Sequence, residues 1–192
     1  MRPERVAQLR EVLLDPVAAA AIDVRGGVKA AVLVALFESE GELSAVFTRR
    51  REDLRQHAGQ ISFPGGRVDP GDADLIDTAL REAEEEIGLP RALVTPLGAL
   101  APVWVLVSDF ALYPFVGAID RPAAWAIAEQ EVESVLELSL NDLARNYVKK
   151  TLTRGTDRFE TDTYTVGGHF IWGATGRVLT ELLERIGLLN AA

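Results

Sequence analysis

The stretch from Phe63 to Leu89 constrains the fold most, because it joins a Phe-Pro-Gly-Gly turn, an acidic loop and a strongly patterned helix. The helix is predicted from apolar residues that recur at intervals of four, three and four positions: Ile76, Leu80, Ala83 and Ile87. This spacing is typical of a helix that lies with one face on a core. Asp72 and Asp74 are candidate N-caps. Gly88, followed by Pro90, indicates where the helix ends.

The polar face of this helix is crowded with carboxylates. At roughly 100° per residue, Glu82, Glu85 and Glu86 fall within one sector of about 100°, whereas Glu84 points elsewhere. Like charges at Glu82 and Glu86 cost an isolated helix a few tenths of a kcal/mol. The face is therefore either solvated, as most charged faces are, or it binds a cation. Arg81 stands four residues before Glu85 and could hold that carboxylate by a charge-assisted hydrogen bond.

The turn before the helix favours the interpretation of the carboxylate face as a cation-binding site. Gly65 and Gly66 allow the backbone to bend sharply and to approach a ligand closely, and Pro64 stiffens the entry. Carboxylate oxygens suit Mg²⁺, which usually binds through a few carboxylates together with substrate phosphates. We therefore interpret the carboxylate face as a metal site.

The run from Arg81 to Leu89, with Gly66 before it, resembles the Nudix box, the signature of hydrolases that act on nucleoside diphosphates linked to another moiety. The box is usually Gly, five residues, Glu, seven residues, then Arg-Glu-apolar-x-Glu-Glu-x-Gly-apolar. Counted back from the arginine, its isolated Glu position falls on Ala73 and its Gly position on Arg67. The loop is thus one residue longer, and Asp72 stands beside the Glu position. The apolar position after the first Glu is only an alanine, but the three-carboxylate face is intact.

A segment just upstream resembles the coenzyme A pyrophosphatase branch of that family. It consists of Val46-Phe47-Thr48-Arg49-Arg50-Arg51, then Arg55, Gly59 and Phe63-Pro64-Gly65-Gly66. Arg51 departs from the branch, which usually has Ser or Ala there, whereas the extra loop residue matches it. The resemblance implies an α/β/α sandwich around a mixed β-sheet and Mg²⁺ or Mn²⁺ as cofactor. It also implies cleavage of coenzyme A or an acyl derivative into 3′,5′-ADP and a 4′-phosphopantetheine.

The same resemblance implies roles for individual residues. Glu82, Glu85 and Glu86 would hold the metal, with Arg81 in the same catalytic group. Related enzymes often take a further carboxylate from the region after the box, and Glu131 is the candidate here, against the alternative of a solvated loop. A carboxylate then removes a proton as water attacks phosphorus. Glu82 and Glu131 are both candidates for this general base.

Four arginines lie within seven residues: Arg49, Arg50, Arg51 and Arg55. Alone, they would indicate a surface ion-pair patch. With the motif, Arg50 and Arg55 are expected to bind substrate phosphates, because guanidinium groups match phosphate oxygens bidentately. His57 is a candidate substrate contact, although a lone histidine is more often structural. Gly65 and Gly66 complete the set of expected substrate-binding residues.

Composition limits the partners. The 192 residues are 48% hydrophobic and are expected to form one domain over 1–192. The absence of cysteine excludes disulfides, thiol nucleophiles and cysteine-bound zinc. A net charge of −9 argues against a nucleic-acid polymer or an anionic membrane, but not against a small phosphorylated molecule bridged by a cation. Since no signal peptide or membrane-spanning run is recognised, a cytoplasmic protein is expected. A homodimer is compatible with the sequence.

The rest of the chain alternates between helices and strands. Helices are predicted at about 3–14, 139–145 and 173–188, strands at 28–37, 43–48, 112–119 and 158–166, and a connection at 15–27. This alternation alone supports only a generic α/β or α+β class.

Two other functions remain open. The same metal site could act on ADP-ribose, NADH or a dinucleoside polyphosphate, in which case 3′-dephospho-coenzyme A would be cleaved as well as coenzyme A. A non-catalytic nucleotide sensor is the other alternative. The complete carboxylate face weighs against the sensor, because a pure binder needs no such face.

Overall fold

A computed structural model describes residues 1–53, 59–155 and 157–190. Its helices are Pro3–Val12 (α1), Pro16–Ala20 (α2), Leu75–Ile87 (α3), Leu140–Arg145 (α4) and Gly173–Arg185 (α5), with a 3₁₀ turn at Arg91–Leu93. Its strands are Val28–Ser39 (β1), Glu42–Arg50 (β2), Ile61–Ser62 (β3), Gly65–Arg67 (β4), Val94–Ala99 (β5), Val103–Val105 (β6), Phe110–Ile119 (β7), Val132–Ser139 (β8), Tyr147–Arg154 (β9), Asp157–Val166 (β10) and His169–Ile171 (β11). None of the helices in these ranges has the length and hydropathy needed to cross a membrane.

Strand β1 is the centre of the larger sheet. It runs parallel to β7 and antiparallel to β2 and β4, which makes the sheet mixed. Within the described residues this sheet has eight strands, and β9, β10 and β11 form a smaller antiparallel sheet. Every residue from Ala30 to Phe37 is buried. Because neighbouring side chains of a strand point to opposite faces, such an uninterrupted apolar run requires both faces to be covered.

The two faces of β1 are covered by different helices. On one face, Ala79, Ala83 and Ile87 of α3 belong to the same buried cluster as Leu33 and Phe115 of the sheet. The other face is covered mainly by α5, with contributions from α1 and α4: Leu9, Leu140, Leu143, Val178, Leu179, Leu182 and Leu183. Each fully buried leucine contributes about 1.5–3 kcal/mol to this packing. The predicted α/β/α sandwich around a mixed sheet is confirmed.

Several elements differ from their sequence predictions. Helix α1 ends at Val12 instead of residue 14, and the expected connection at 15–27 contains α2, whose N-cap Asp15 accepts a hydrogen bond from the Ala18 N–H. Strands β8 and β9 were not predicted. Both carry charged residues between their apolar ones and have much exposed or half-exposed surface, so neither shows a continuous hydrophobic run.

Candidate active site

The glycine turn is held against β1 by strand pairing. In β4, Gly65 pairs with Val32 and Gly66 pairs with Ala31. Gly65 has a φ of 156°, and a Cβ there would lie 2.3 Å from the carbonyl oxygen of Ala31. The backbone itself therefore requires glycine at this position. A Cβ on Gly66 would lie 2.5 Å from the carboxylate of Glu82, so this glycine leaves the space that the carboxylate occupies.

Helix α3 carries the carboxylates and is fixed at both ends. Asp74 is its N-cap and accepts a hydrogen bond of 2.8 Å from the Asp77 N–H. Gly88 closes the helix in the left-handed region with a φ of 65°. The sequence prediction is confirmed for these two residues, but the alternative N-cap, Asp72, has a different role.

Asp72 forms a bidentate ion pair with Arg81. Its oxygens lie 2.7 Å from Nε and 3.0 Å from Nη2 of Arg81, and its side chain is only 2% exposed. The Thr78 hydroxyl and the Asp69 N–H each donate a further 2.8 Å bond to it. The hydrogen bonds from Arg81 hold the pKa of Asp72 well below its usual range. Sequence analysis missed this pair, although the place of Asp72 beside the Glu position of the motif was a usable signal.

Arg81 in turn holds two carboxylates of the polar face. Its Nη1 donates to Glu82 at 3.0 Å and to Glu85 at 2.9 Å, and its Nη2 donates to the Arg67 carbonyl at 3.0 Å. The expected contact between Arg81 and Glu85 is thus present. Arg81 links the loop, the glycine strand and the helix face, and we describe it as a positioning residue.

Glu82 and Glu86 lie in a poorly solvated environment. The Glu86 side chain is 8% exposed and accepts a hydrogen bond of 3.1 Å from the Gly65 N–H. Burial raises the pKa of Glu86 to about 7, with the neighbouring charge of Glu82 acting in the same direction. Burial also raises the pKa of Glu82, against the opposing effect of Arg81. Glu84, as expected, points elsewhere and lies 3.5 Å from Arg91.

Arg50 and Glu131 belong to different parts of the chain and both lie near Glu86. Arg50 ends β2, where the pairing with β8 shifts register, and its Nη1 and Nη2 lie 3.9 Å from Glu86 and from Glu131, respectively. These distances are too long for hydrogen bonds. The buried Nε of Arg50 has no hydrogen-bond partner among the described residues. Glu131 precedes β8, and its side chain is 57% exposed.

The other arginines of the cluster do not converge on this site. Arg49 pairs with Glu52 at 2.8 Å and with Glu133 at 3.4 Å, while Arg51 pairs with Asp53 at 2.8 Å. For these two, the surface ion-pair alternative describes the structure better than a substrate contact. The predicted substrate contacts Arg55 and His57 lie outside the described residues.

The donor set suits a hard divalent cation chemically, but it is not a closed cage. Within the ranges 1–53, 59–155 and 157–190, no three acidic or histidine side chains are grouped so that they could already hold a metal ion. Glu82 and Glu86 nevertheless offer carboxylate oxygens whose charged forms are disfavoured by burial, and a cation would relieve that cost. Glu85 is 59% exposed and bonded to Arg81. The ligand set Glu82, Glu85 and Glu86 stays a prediction.

The NUDIX domain model matches residues 27–159. This chain belongs to the Nudix family. A protein of Yersinia enterocolitica named uncharacterized Nudix hydrolase NudL is 37% identical over 161 residues, which cover 83% of this chain and 82% of that protein. Membership makes the chain a Nudix hydrolase, an enzyme of small substrates derived from nucleoside diphosphates, in a family that generally uses divalent metal ions. The sequence prediction is confirmed to this level.

Solved structures share the Nudix fold. A MutT/nudix family protein from Enterococcus faecalis has a TM-score of 0.58 at 13% identity, over 86% of this chain and 64% of that chain. The Nudix domain of Shewanella oneidensis NrtR, solved with ADP ribose, has a TM-score of 0.50 at 17% identity, over 76% of this chain and 88% of that chain. At these identities the likeness concerns the fold alone.

Proposed function

We propose that this Nudix hydrolase cleaves the diphosphate of coenzyme A or an acyl derivative, giving 3′,5′-ADP and 4′-phosphopantetheine. The observation that carries the proposal is the position of Arg50. This residue belongs to the segment that resembles the coenzyme A branch, and its guanidinium lies beside Glu86 and Glu131. The segment that resembles the coenzyme A branch therefore lies next to the carboxylate face.

Arg50 is suited to orient a phosphate group. Its Nη atoms stay 3.9 Å from the carboxylates, and its buried Nε has no hydrogen-bond partner among the described residues. The Arg50 side chain is 29% exposed, so a phosphate oxygen can reach the outer end of its guanidinium and accept a charge-assisted bond there. Arg50 also lies between Glu86 and Glu131, so a phosphate bound to it would face the carboxylates.

The remaining roles follow from the contacts of each side chain. Glu82, Glu85 and Glu86 would hold Mg²⁺ or Mn²⁺, which supplies positive charge against the diphosphate and makes water more acidic. Arg81 keeps Glu82 and Glu85 oriented through bonds of 3.0 and 2.9 Å. Either Glu82 or Glu131 accepts the proton as water attacks phosphorus in line with the leaving phosphate.

Product identification by mass spectrometry tests this function. Purified protein is incubated with Mg²⁺ or Mn²⁺ and separately with coenzyme A, 3′-dephospho-coenzyme A, ADP-ribose and NADH. Selective release of 3′,5′-ADP from coenzyme A is the expected result. No cleavage of coenzyme A would contradict the proposed substrate. No cleavage of any of the four compounds would favour the alternative of a non-catalytic sensor.

A matched pair of variants tests the site itself. Glu86→Gln should lower turnover by orders of magnitude while leaving the fold intact, because it removes one proposed ligand charge without changing side-chain size. Glu84→Gln removes the same charge two residues earlier, where the side chain points toward Arg91 and away from the site, and should keep wild-type turnover. Near-normal activity of Glu86→Gln would contradict the assignment.

One observation favours a second candidate, a substrate without a 3′-phosphate such as ADP-ribose. Arg49 and Arg51 are engaged with acidic neighbours, which leaves Arg50 as the described member of the arginine cluster that faces the carboxylates. With this candidate, 3′-dephospho-coenzyme A should be cleaved as efficiently as coenzyme A. A strong preference for coenzyme A would exclude it.

A further inference from the structure

The segment that carries Glu131 is tied to the C-terminal end of α3. The Ala128 N–H donates to the Glu86 carbonyl at 2.9 Å, and the Ala126 N–H donates to the Ile87 carbonyl at 3.2 Å. Ala126 also packs so closely on Gly88 that a Cβ there would lie 2.6 Å from its own Cβ. One end of the segment 126–131 is therefore fixed to the helix that carries the proposed metal ligands.

The other end of the segment is tied to the residue that follows β2. The Arg51 N–H donates to the Glu131 carbonyl at 3.1 Å, and its Nη1 donates to the Glu129 carbonyl at 2.7 Å. Asp53 accepts bonds of 2.8 Å from both Nε and Nη2 of Arg51, which fixes the orientation of the guanidinium. The Arg51 side chain thus acts as a bracket between the Asp53 carboxylate and the Glu131 segment.

We propose that Arg51 is a positioning residue that holds Glu131 at the active site, with Asp53 holding Arg51. The inference rests on the proposed role of Glu131 in the reaction. Glu131 itself is more than half exposed and lies 3.9 Å from Arg50, so its side-chain contacts hold it only weakly. Its place is set instead by the backbone, and Arg51 fixes that backbone. A displacement of about 1 Å in such a group can lower the rate by about 100-fold.

The neighbouring arginine provides a matched control. Arg49 is also charged, also partly exposed and also paired with a nearby acidic residue, but its contacts go to side chains at 52 and 133 instead of to the backbone of 126–131. Arg51→Ala and Arg49→Ala therefore remove the same charge and a comparable surface ion pair. Only the first removes the side-chain bond to the Glu129 carbonyl, and both leave the backbone bond from residue 51 to the Glu131 carbonyl in place.

The test is a double-mutant cycle with Glu131→Gln, measured on coenzyme A and on ADP-ribose. Arg51→Ala should lower kcat by about 10- to 100-fold with little change in KM, because positioning of a reacting group affects the chemical step. The same substitution should have no further effect in the Glu131→Gln background. Arg51→Lys should recover part of kcat, since its ammonium can still donate to a carbonyl, and Arg49→Ala should keep wild-type kcat.

Amide hydrogen exchange gives a readout that does not depend on activity. Arg51→Ala should speed exchange at Ala128 and Glu131, whose N–H groups are bonded to the Glu86 and Ala128 carbonyls, while Arg49→Ala leaves it unchanged. An equal loss of kcat in the Glu131→Gln background, a rise in KM alone, or unchanged exchange would overturn the inference. Failure of the coenzyme A proposal would appear separately, as wild-type cleavage of ADP-ribose without cleavage of coenzyme A. If Arg51→Ala does not fold, Arg51→Lys is used in the same comparisons, with losses of kcat in the same direction but smaller.

Discussion

Replacing Glu86 with Gln is expected to stabilise the metal-free protein at neutral and alkaline pH but much less in acid. Burial raises the pKa of Glu86 from its ordinary 4.5 to about 7. Between these two values the folded protein binds more protons than the unfolded chain. Its free energy of unfolding therefore falls as the pH rises through this window, and the loss is complete above it.

The size of the effect follows from the pKa of Glu86. At about 1.4 kcal/mol for each tenfold change in proton affinity, the ionised carboxylate lowers the free energy of unfolding by about 3 kcal/mol at pH 8. At pH 5 the same calculation gives less than about 1 kcal/mol. Gln is neutral throughout, and its amide oxygen can still accept the bond from the Gly65 N–H. The difference in free energy of unfolding between the variant and the wild type should therefore increase by about 2.5 kcal/mol from pH 5 to pH 8.

Urea unfolding followed by tryptophan fluorescence, at pH 5 and pH 8 with EDTA, measures this difference. Glu84→Gln is the control, since Glu84 is half exposed and paired with Arg91, and its pH profile should follow the wild type. Saturating Mg²⁺ should reduce the advantage of Glu86→Gln, because a cation that binds only the folded wild type stabilises it by mass action. A gap between Glu86→Gln and wild type that is the same at both pH values would refute the burial argument.

Three further substitutions probe the surrounding contacts. Asp72→Asn should destabilise the protein by roughly 1.5–3 kcal/mol in urea unfolding, because it removes the charge of the most buried of the three carboxylates that pair with Arg81. A loss below about 0.5 kcal/mol would mean that this pair is not important for stability. Gly66→Ala should lower turnover far more than stability, since its Cβ would displace the end of the Glu82 side chain and not the backbone. Gly71→Ala is the control, because its Cβ would lie at an ordinary 3.5 Å from its nearest neighbour, and it should change neither turnover nor stability. An equal loss of turnover in both alanine variants would contradict the argument.

The elements with strong local patterns could be predicted from the sequence. Helix α3 has its apolar stripe, an N-cap and a C-terminal glycine within 15 residues, and all three are local signals. Strand β1 is a continuous apolar run because it is covered on both faces. Strand β8 has no comparable signal: most of its residues are half exposed, and its position depends on pairing with β2, about 90 residues earlier in the chain.

The site could be predicted only in part for the same reason. The positions of Glu82, Glu85 and Glu86 on one face follow from helix periodicity. The roles of the arginines do not, because they depend on partners far away in the chain. Arg51 contacts the Glu129 carbonyl, 78 residues later, and Arg50 approaches Glu86 of α3 and Glu131 from the end of β2. No local pattern separates these arginines from Arg49, which is an ion-paired surface residue.

The loop before α3 shows why the altered spacing of the motif leaves the site intact. Arg81 needs a carboxylate, and Asp72 supplies it from one position earlier, where the Thr78 hydroxyl and the Asp69 N–H hold it in place. Ala73, at the expected Glu position, uses its backbone N–H instead and donates to Asp77 in the first turn of the helix. The extra residue is thus absorbed by hydrogen bonds within the loop. Arg81 consequently keeps its orientation toward Glu82 and Glu85, which is what the carboxylate face requires.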